Sequence, residues 1–136
     1  PLFGAYYFFL IGVLLAYVSL AIAYANIKKT DKIWLFYVWT FIIAVYTFRD
    51  EIMFNMFSAV LLSFIAVYTY ERYKENKNKN TLKVFLAFFS LFLFHALIVP
   101  QQTFKFIFVA RQLILLMGLG LLLDTLLRIH YGRKKK

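Results

Sequence analysis

From residue 2 to residue 26 the chain carries no charged side chain. A helix needs about 20 mostly apolar residues to cross about 30 Å of hydrocarbon, and this run is long enough. Four further apolar segments follow, at about 33–48, 52–70, 82–99 and 103–129. The second is short for a crossing, a deficit that flanking residues and local thinning of the bilayer can absorb. All five are continuously apolar, without the alternation that barrel strands require. Hydrophobic residues make up 63% of the 136 and charged residues 16%. An ordinary soluble domain is about 45–50% apolar and about 25% charged. So short a chain would leave much of its apolar surface in water if it were a soluble globule. The expected fold is all-α: a polytopic integral membrane bundle of five transmembrane helices, one domain over residues 1–136. No basic stretch precedes the first run, which reads as a retained span rather than a signal peptide.

Charge sets the expected orientation. Thirteen basic residues fall in two of the four connections and the C-terminal tail: Lys28, Lys29 and Lys32; Arg72, Lys74, Lys77, Lys79 and Lys83; Arg128, Arg133, Lys134, Lys135 and Lys136. Three remain on the other side, Arg49, Lys105 and Arg111. Under the positive-inside rule the N-terminus lies outside and the C-terminus inside, which makes this a multi-pass protein of the cell membrane. Tyr6, Tyr7, Trp34, Tyr37, Tyr68, Tyr70 and Tyr131 fall near the expected interfaces, as aromatic belts do. The net charge of +10 sits between and after apolar runs. That suits anionic inner-leaflet headgroups, with Arg133, Lys134, Lys135 and Lys136 as the contact. No basic folded domain is left over to bind nucleic acid. The absence of Cys removes disulfides, thiolate metal sites and cysteine nucleophiles within the chain.

Three features are candidates for function. Ala5, Gly12, Ala16, Ser19 and Ala23 share one face of the first helix. Small residues let helix backbones approach closely in lipid, so this stripe reads as a packing seam, within the chain or toward a second copy or a partner membrane subunit. Gly118 and Gly120 do not make GxxxG and carry little weight.

The second feature is a polar cluster toward the outer leaflet. Arg49, Asp50 and Glu51 occupy the turn between segments two and three, with Asn55 one helical turn below Glu51. His95 lies roughly 7 Å below the outer end of segment four, and Arg111 roughly 12 Å below the start of segment five with Gln112 beside it. A charge at that depth needs a partner, and Asp50 or Glu51 is the expected one. The cluster reads either as an ion pair pinning the last helix to the second hairpin or as a site open to the outer face. In the second case Arg111 would bind an anionic or carbonyl-bearing ligand and His95 would add a titratable group.

The third feature is Asp124, four residues before Arg128 and so set for a same-helix ion pair; Lys83 is expected to snorkel to headgroups.

No nucleophile elbow, zinc-protease motif, phosphate loop or dinucleotide fingerprint occurs, and His130 is at the opposite end from His95. Catalysis, a metal and a cofactor are therefore not expected. The preferred function is interaction, as an accessory or assembly subunit or a sensor-type membrane module. The alternative is a protomer of an oligomeric small-solute or ion transporter, with His95, Arg111 and Asp124 lining its path.

Overall fold

The computed structural model describes the backbone of residues 2–24, 30–47 and 50–133, with side chains at 5–23, 33–35, 37–46 and 50–128. It is all-helical: α1 (Leu2–Tyr24), α2 (Thr30–Thr47), α3 (Glu51–Asn76), α4 (Lys79–Ala96), a single turn α5 (Ile98–Gln101) and α6 (Phe106–Arg133). Among the described residues there is no strand. Among the described residues, three helices are long and apolar enough to cross a membrane: 5–23 in α1, 51–76 in α3 and 106–128 in α6. The apolar helix at 33–46 is shorter.

Local chemistry sets the helix ends. Asp50 is in extended conformation and its Oδ1 accepts from the amides of Ile52 and Met53, at 2.9 and 3.4 Å, so it caps α3. The polar stretch from Glu71 onward reads in sequence as a loop to Thr81. Instead α3 continues to Asn76, and α4 restarts at Lys79. Glu, Arg and Lys are good helix formers, and Lys74 lays its ammonium over the Tyr70 ring one turn back. Lys77 then turns left-handed, with φ 46°, and donates its amide to the Tyr73 carbonyl. The Asn78 side chain caps α4 by accepting from the Asn80 amide. At the far end of α4, Pro100 has no N–H to offer the carbonyl of Ala96. The helix breaks at Leu97 and adds only the turn α5.

Packing fixes the arrangement. α4 lies between α3 and α6, while α1 rests on α2 and α3. Leu10 and Leu14 of α1 join Phe54 of α3 in one apolar cluster; Tyr17, Leu20 and Ala21 join Leu62, Ile65, Phe88 and Leu91 in the next. α1 therefore runs parallel to α3. Lys83 meets Asp124 and Phe94 meets Arg111, so α4 and α6 are antiparallel. The starts of α1, α3 and α6 and the end of α4 share one end of the bundle.

Gly118 makes the α4–α6 approach possible. A Cβ there would sit 3.1 Å from the Ser90 Cβ and 3.2 Å from the Ala87 carbonyl oxygen. The glycine that carried little weight in the sequence is thus the one at the seam. The outward faces are apolar: Phe8, Tyr46, Phe106 and Leu116 are all at least 66% exposed.

Candidate functional site

The site grows from Arg111, about 1.4 turns into α6 and only 5% exposed. Its Nε donates to the Phe94 carbonyl of α4 at 2.6 Å, Nη1 to Gln101 Oε1 of α5 at 2.8 Å, and Nη2 to Asn55 Oδ1 of α3 at 2.8 Å. The Phe94 ring lies under the guanidinium, 4.3 Å from centroid to Cζ, a cation–π contact that desolvation strengthens. Phe94 offers its carbonyl because α4 is ending: the last carbonyls of a helix have no intrahelical partner.

Donor and acceptor roles extend the network to α1. Asn55 Nδ2 donates to the Glu51 carbonyl at 2.7 Å, so Oδ1 is the side of the amide that accepts. The His95 Nδ1, 2.9 Å from that oxygen, must then carry a proton. In the neutral ring Nε2 is left as the acceptor, and the Tyr17 hydroxyl, 3.2 Å away, donates to it. Tyr17, Phe54 and Phe94 surround the imidazole edge-on. One connected set of hydrogen bonds thus joins α1, α3, α4, α5 and α6.

The expected partner of Arg111 is corrected. Among the described residues the guanidinium forms no ion pair. Asp50 is occupied in capping α3. Glu51 lines the same cavity as Arg111 but is exposed, and it acts on the guanidinium through space without contact. A carboxylate at the bundle end keeps its hydration by staying out, and neutral acceptors fill its role. Of the other cluster members, His95 and Asn55 converge on Arg111; Gln112 is half-buried and does not line the cavity; Arg49 lies outside the described residues. Sequence reasoning missed Gln101 and Tyr17. A Tyr in the middle of an uncharged run was the available signal, since a buried hydroxyl needs a partner.

Two other expectations change. Lys83 does not snorkel outward; it hydrogen-bonds Asp124 across the α4–α6 interface. Asp124 also accepts from Arg128 Nε at 3.0 and 3.2 Å, the same-helix pair that the spacing implies. On α1, Ala5, Gly12, Ala16, Ser19 and Ala23 are all exposed. The helix packs inside the chain with the opposite face, through Leu10, Leu14 and Val18. Large branched residues offer more apolar area to bury there. Ser19 of the stripe hydrogen-bonds the Tyr37 hydroxyl of α2 at 3.0 Å. Arg133 ends α6; its side chain and Lys134, Lys135 and Lys136 lie outside the described residues.

Between α1 and α6 is a groove. Among the described residues these two helices do not pack on each other, and α4 forms the floor. The cavity measures about 790 Å³. Each wall contributes one helical stripe: Tyr6, Leu10, Val13 and Tyr17 from α1; Val84, Phe88 and Leu91 from α4; Leu115, Leu119, Leu122 and Leu126 from α6. Glu51, Asn55, His95 and Arg111 cluster at one end of it.

Comparisons with protein-family models, with characterised proteins and with solved structures return no match. Fold and site together define a helical bundle with three helices able to span a membrane, in which a buried polar latch closes one end of an apolar lateral groove.

Proposed function

We propose that this chain is a multi-pass protein of the cell membrane, crossing it five times with the N-terminus outside and the C-terminus inside. It acts by interaction, as a sensor-type or accessory membrane module, and not by catalysis. Alternating helix directions put the ends of α1, α3 and α6 and the starts of α2 and α4 at one end of the bundle, and the opposite helix ends at the other. Thirteen of the sixteen basic residues lie, in the sequence, at the first of these ends or within two helical turns of it, which supports the inward assignment of that end. The Arg133–Lys136 tail contacts anionic inner-leaflet lipid. The exposed small-residue stripe of α1 is the face offered to a second copy or a partner subunit.

The observation that carries the functional reading is the latch. A single guanidinium holds α3, α4, α5 and α6, and His95 extends that hold to α1. Anything that competes for Arg111 changes the relative stability of helix arrangements, which is how occupancy of one site biases a whole bundle. The transport alternative finds less support. Asp124 is held by Lys83 and Arg128 and does not line the cavity, and away from the latch the groove walls are apolar apart from the Tyr6 hydroxyl and Thr125.

Extraction in mild detergent tests the reading. The expected result is a self-assembly or a partner complex of fixed stoichiometry that Arg111→Gln alters, with no solute flux from the protein in liposomes. Flux that Arg111→Gln abolishes while the protein stays folded would instead establish the transporter.

A further inference from the structure

We propose that the α1–α6 groove takes one long-chain fatty acid from the surrounding membrane, its carboxylate on Arg111 and its hydrocarbon tail along the apolar stripes. This rests on the reading of the chain as a membrane sensor module and names what it would sense. Three observations carry it.

The first is charge. Arg111 is the one charged side chain buried among the described residues, and it has no carboxylate in contact. A guanidinium has five N–H donors. Three are used, which leaves one on each terminal nitrogen. Each can donate to a carboxylate oxygen, the charge-assisted bond that arginine makes strongest. Glu51 at the rim is exposed and can remain in water when an anion enters.

The second is length and lining. From Arg111 to Leu126 the α6 wall extends about 22 Å at the helical rise, and the cavity volume of about 790 Å³ falls in the range of roughly 300–1,000 Å³ typical of single-ligand sites.

The third selects one chain with one polar end. Of the lining hydroxyls, Tyr17 donates to His95 and Thr125 donates to the Leu121 carbonyl, while Tyr6 lies toward the start of α1, away from the path that runs from Arg111 to Leu126. The glycerol esters of a phospholipid, held just beneath a phosphate on Arg111, would meet apolar walls and no free donor, at a desolvation cost. A fatty acid has no polar atom below its carboxylate.

Parinaric acid, a fluorescent long-chain fatty acid, and its methyl ester are the probes, titrated into the protein in phosphatidylcholine nanodiscs. Saturable binding of the acid is expected, with the ester weaker by at least about tenfold. Arg111→Gln should remove that preference. Because Arg111→Gln also loosens the latch, Leu119→Trp provides a second arm: it fills the groove away from the latch and should abolish acid binding with the thermal midpoint kept. Equal binding of acid and ester, unchanged binding by Leu119→Trp, no saturable binding, or displacement by phosphatidylglycerol in preference to oleic acid would each overturn the proposal. Loss of acid binding with the complex in detergent intact would sink this inference alone. Solute flux would sink the functional reading while leaving the groove's occupant as found.

Discussion

Arg111 is held by three acceptors that are all uncharged, two of them side-chain amides and one a backbone carbonyl. In an apolar surround such a set spreads the cation over several dipoles and spares the bundle a second buried charge. The arginine was legible in the sequence because a charge deep in an apolar run stands out. Its partners were not. Asp50 and Glu51 are the obvious counter-charges, whereas the Phe94 carbonyl is available because α4 ends at Ala96, and the Gln101 amide comes from the turn after that break. Two residues one turn apart on α3 give opposite expectations. Asn55 is buried and makes three hydrogen bonds, so Asn55→Ala should destabilise the fold by at least about 1.5–3 kcal/mol, the worth of one bond to a charged group. Ser58 is fully buried, and its hydroxyl has no partner among the described residues. Ser58→Ala should therefore leave the thermal midpoint unchanged or raise it, since it removes a desolvated polar group. A loss of stability at Ser58 as large as that at Asn55, measured by thermal unfolding in detergent, would contradict the assignment of the latch.

At the scale of the helix, the apolar runs gave the elements within a few residues, because a continuous apolar stretch in a short chain has few other ways to satisfy its backbone. The connection between α3 and α4 was not legible: polar, charged residues suit a solvated loop and a solvated helix end equally. The turn there depends on Lys77 at φ 46°, a conformation that costs a non-glycine residue about 1–2 kcal/mol. Lys77→Gly should raise the thermal midpoint, and Lys77→Val should lower it. The glycines of α6 offer a second contrast. Gly118→Ala drives a Cβ against the Ala87 carbonyl oxygen of α4, a backbone atom that cannot swing aside; overpacking of this kind costs about 1–3 kcal/mol. Gly120→Ala meets nothing within 4 Å and should stabilise the helix by roughly 0.5–1 kcal/mol. The expected outcome is a fall in unfolding temperature for the first and a small rise for the second. Equal effects would mean that α4 and α6 do not meet at this seam.

For the whole molecule, polar contacts hold the two ends of the α4–α6 pair and apolar packing fills the middle. One end has the Arg111 network; the other has Asp124 between Lys83 and Arg128. The second end is partly exposed, with side-chain accessibilities of 29% and 41% for Lys83 and Asp124, so its pairs contribute little and weaken further with salt. The buried latch therefore governs how the bundle is held. Its proposed role depends on facing the outer leaflet, and the natural absence of cysteine makes sidedness directly measurable. Single substitutions Lys29→Cys, Asp50→Cys, Lys77→Cys and Thr103→Cys, each treated on intact cells with a membrane-impermeant maleimide, report all four connections. Labelling at 50 and 103 before lysis, and at 29 and 77 only after it, is the outcome expected of five crossings with the latch outward. Labelling of all four from the same side, or of 29 and 77 on intact cells, would contradict it.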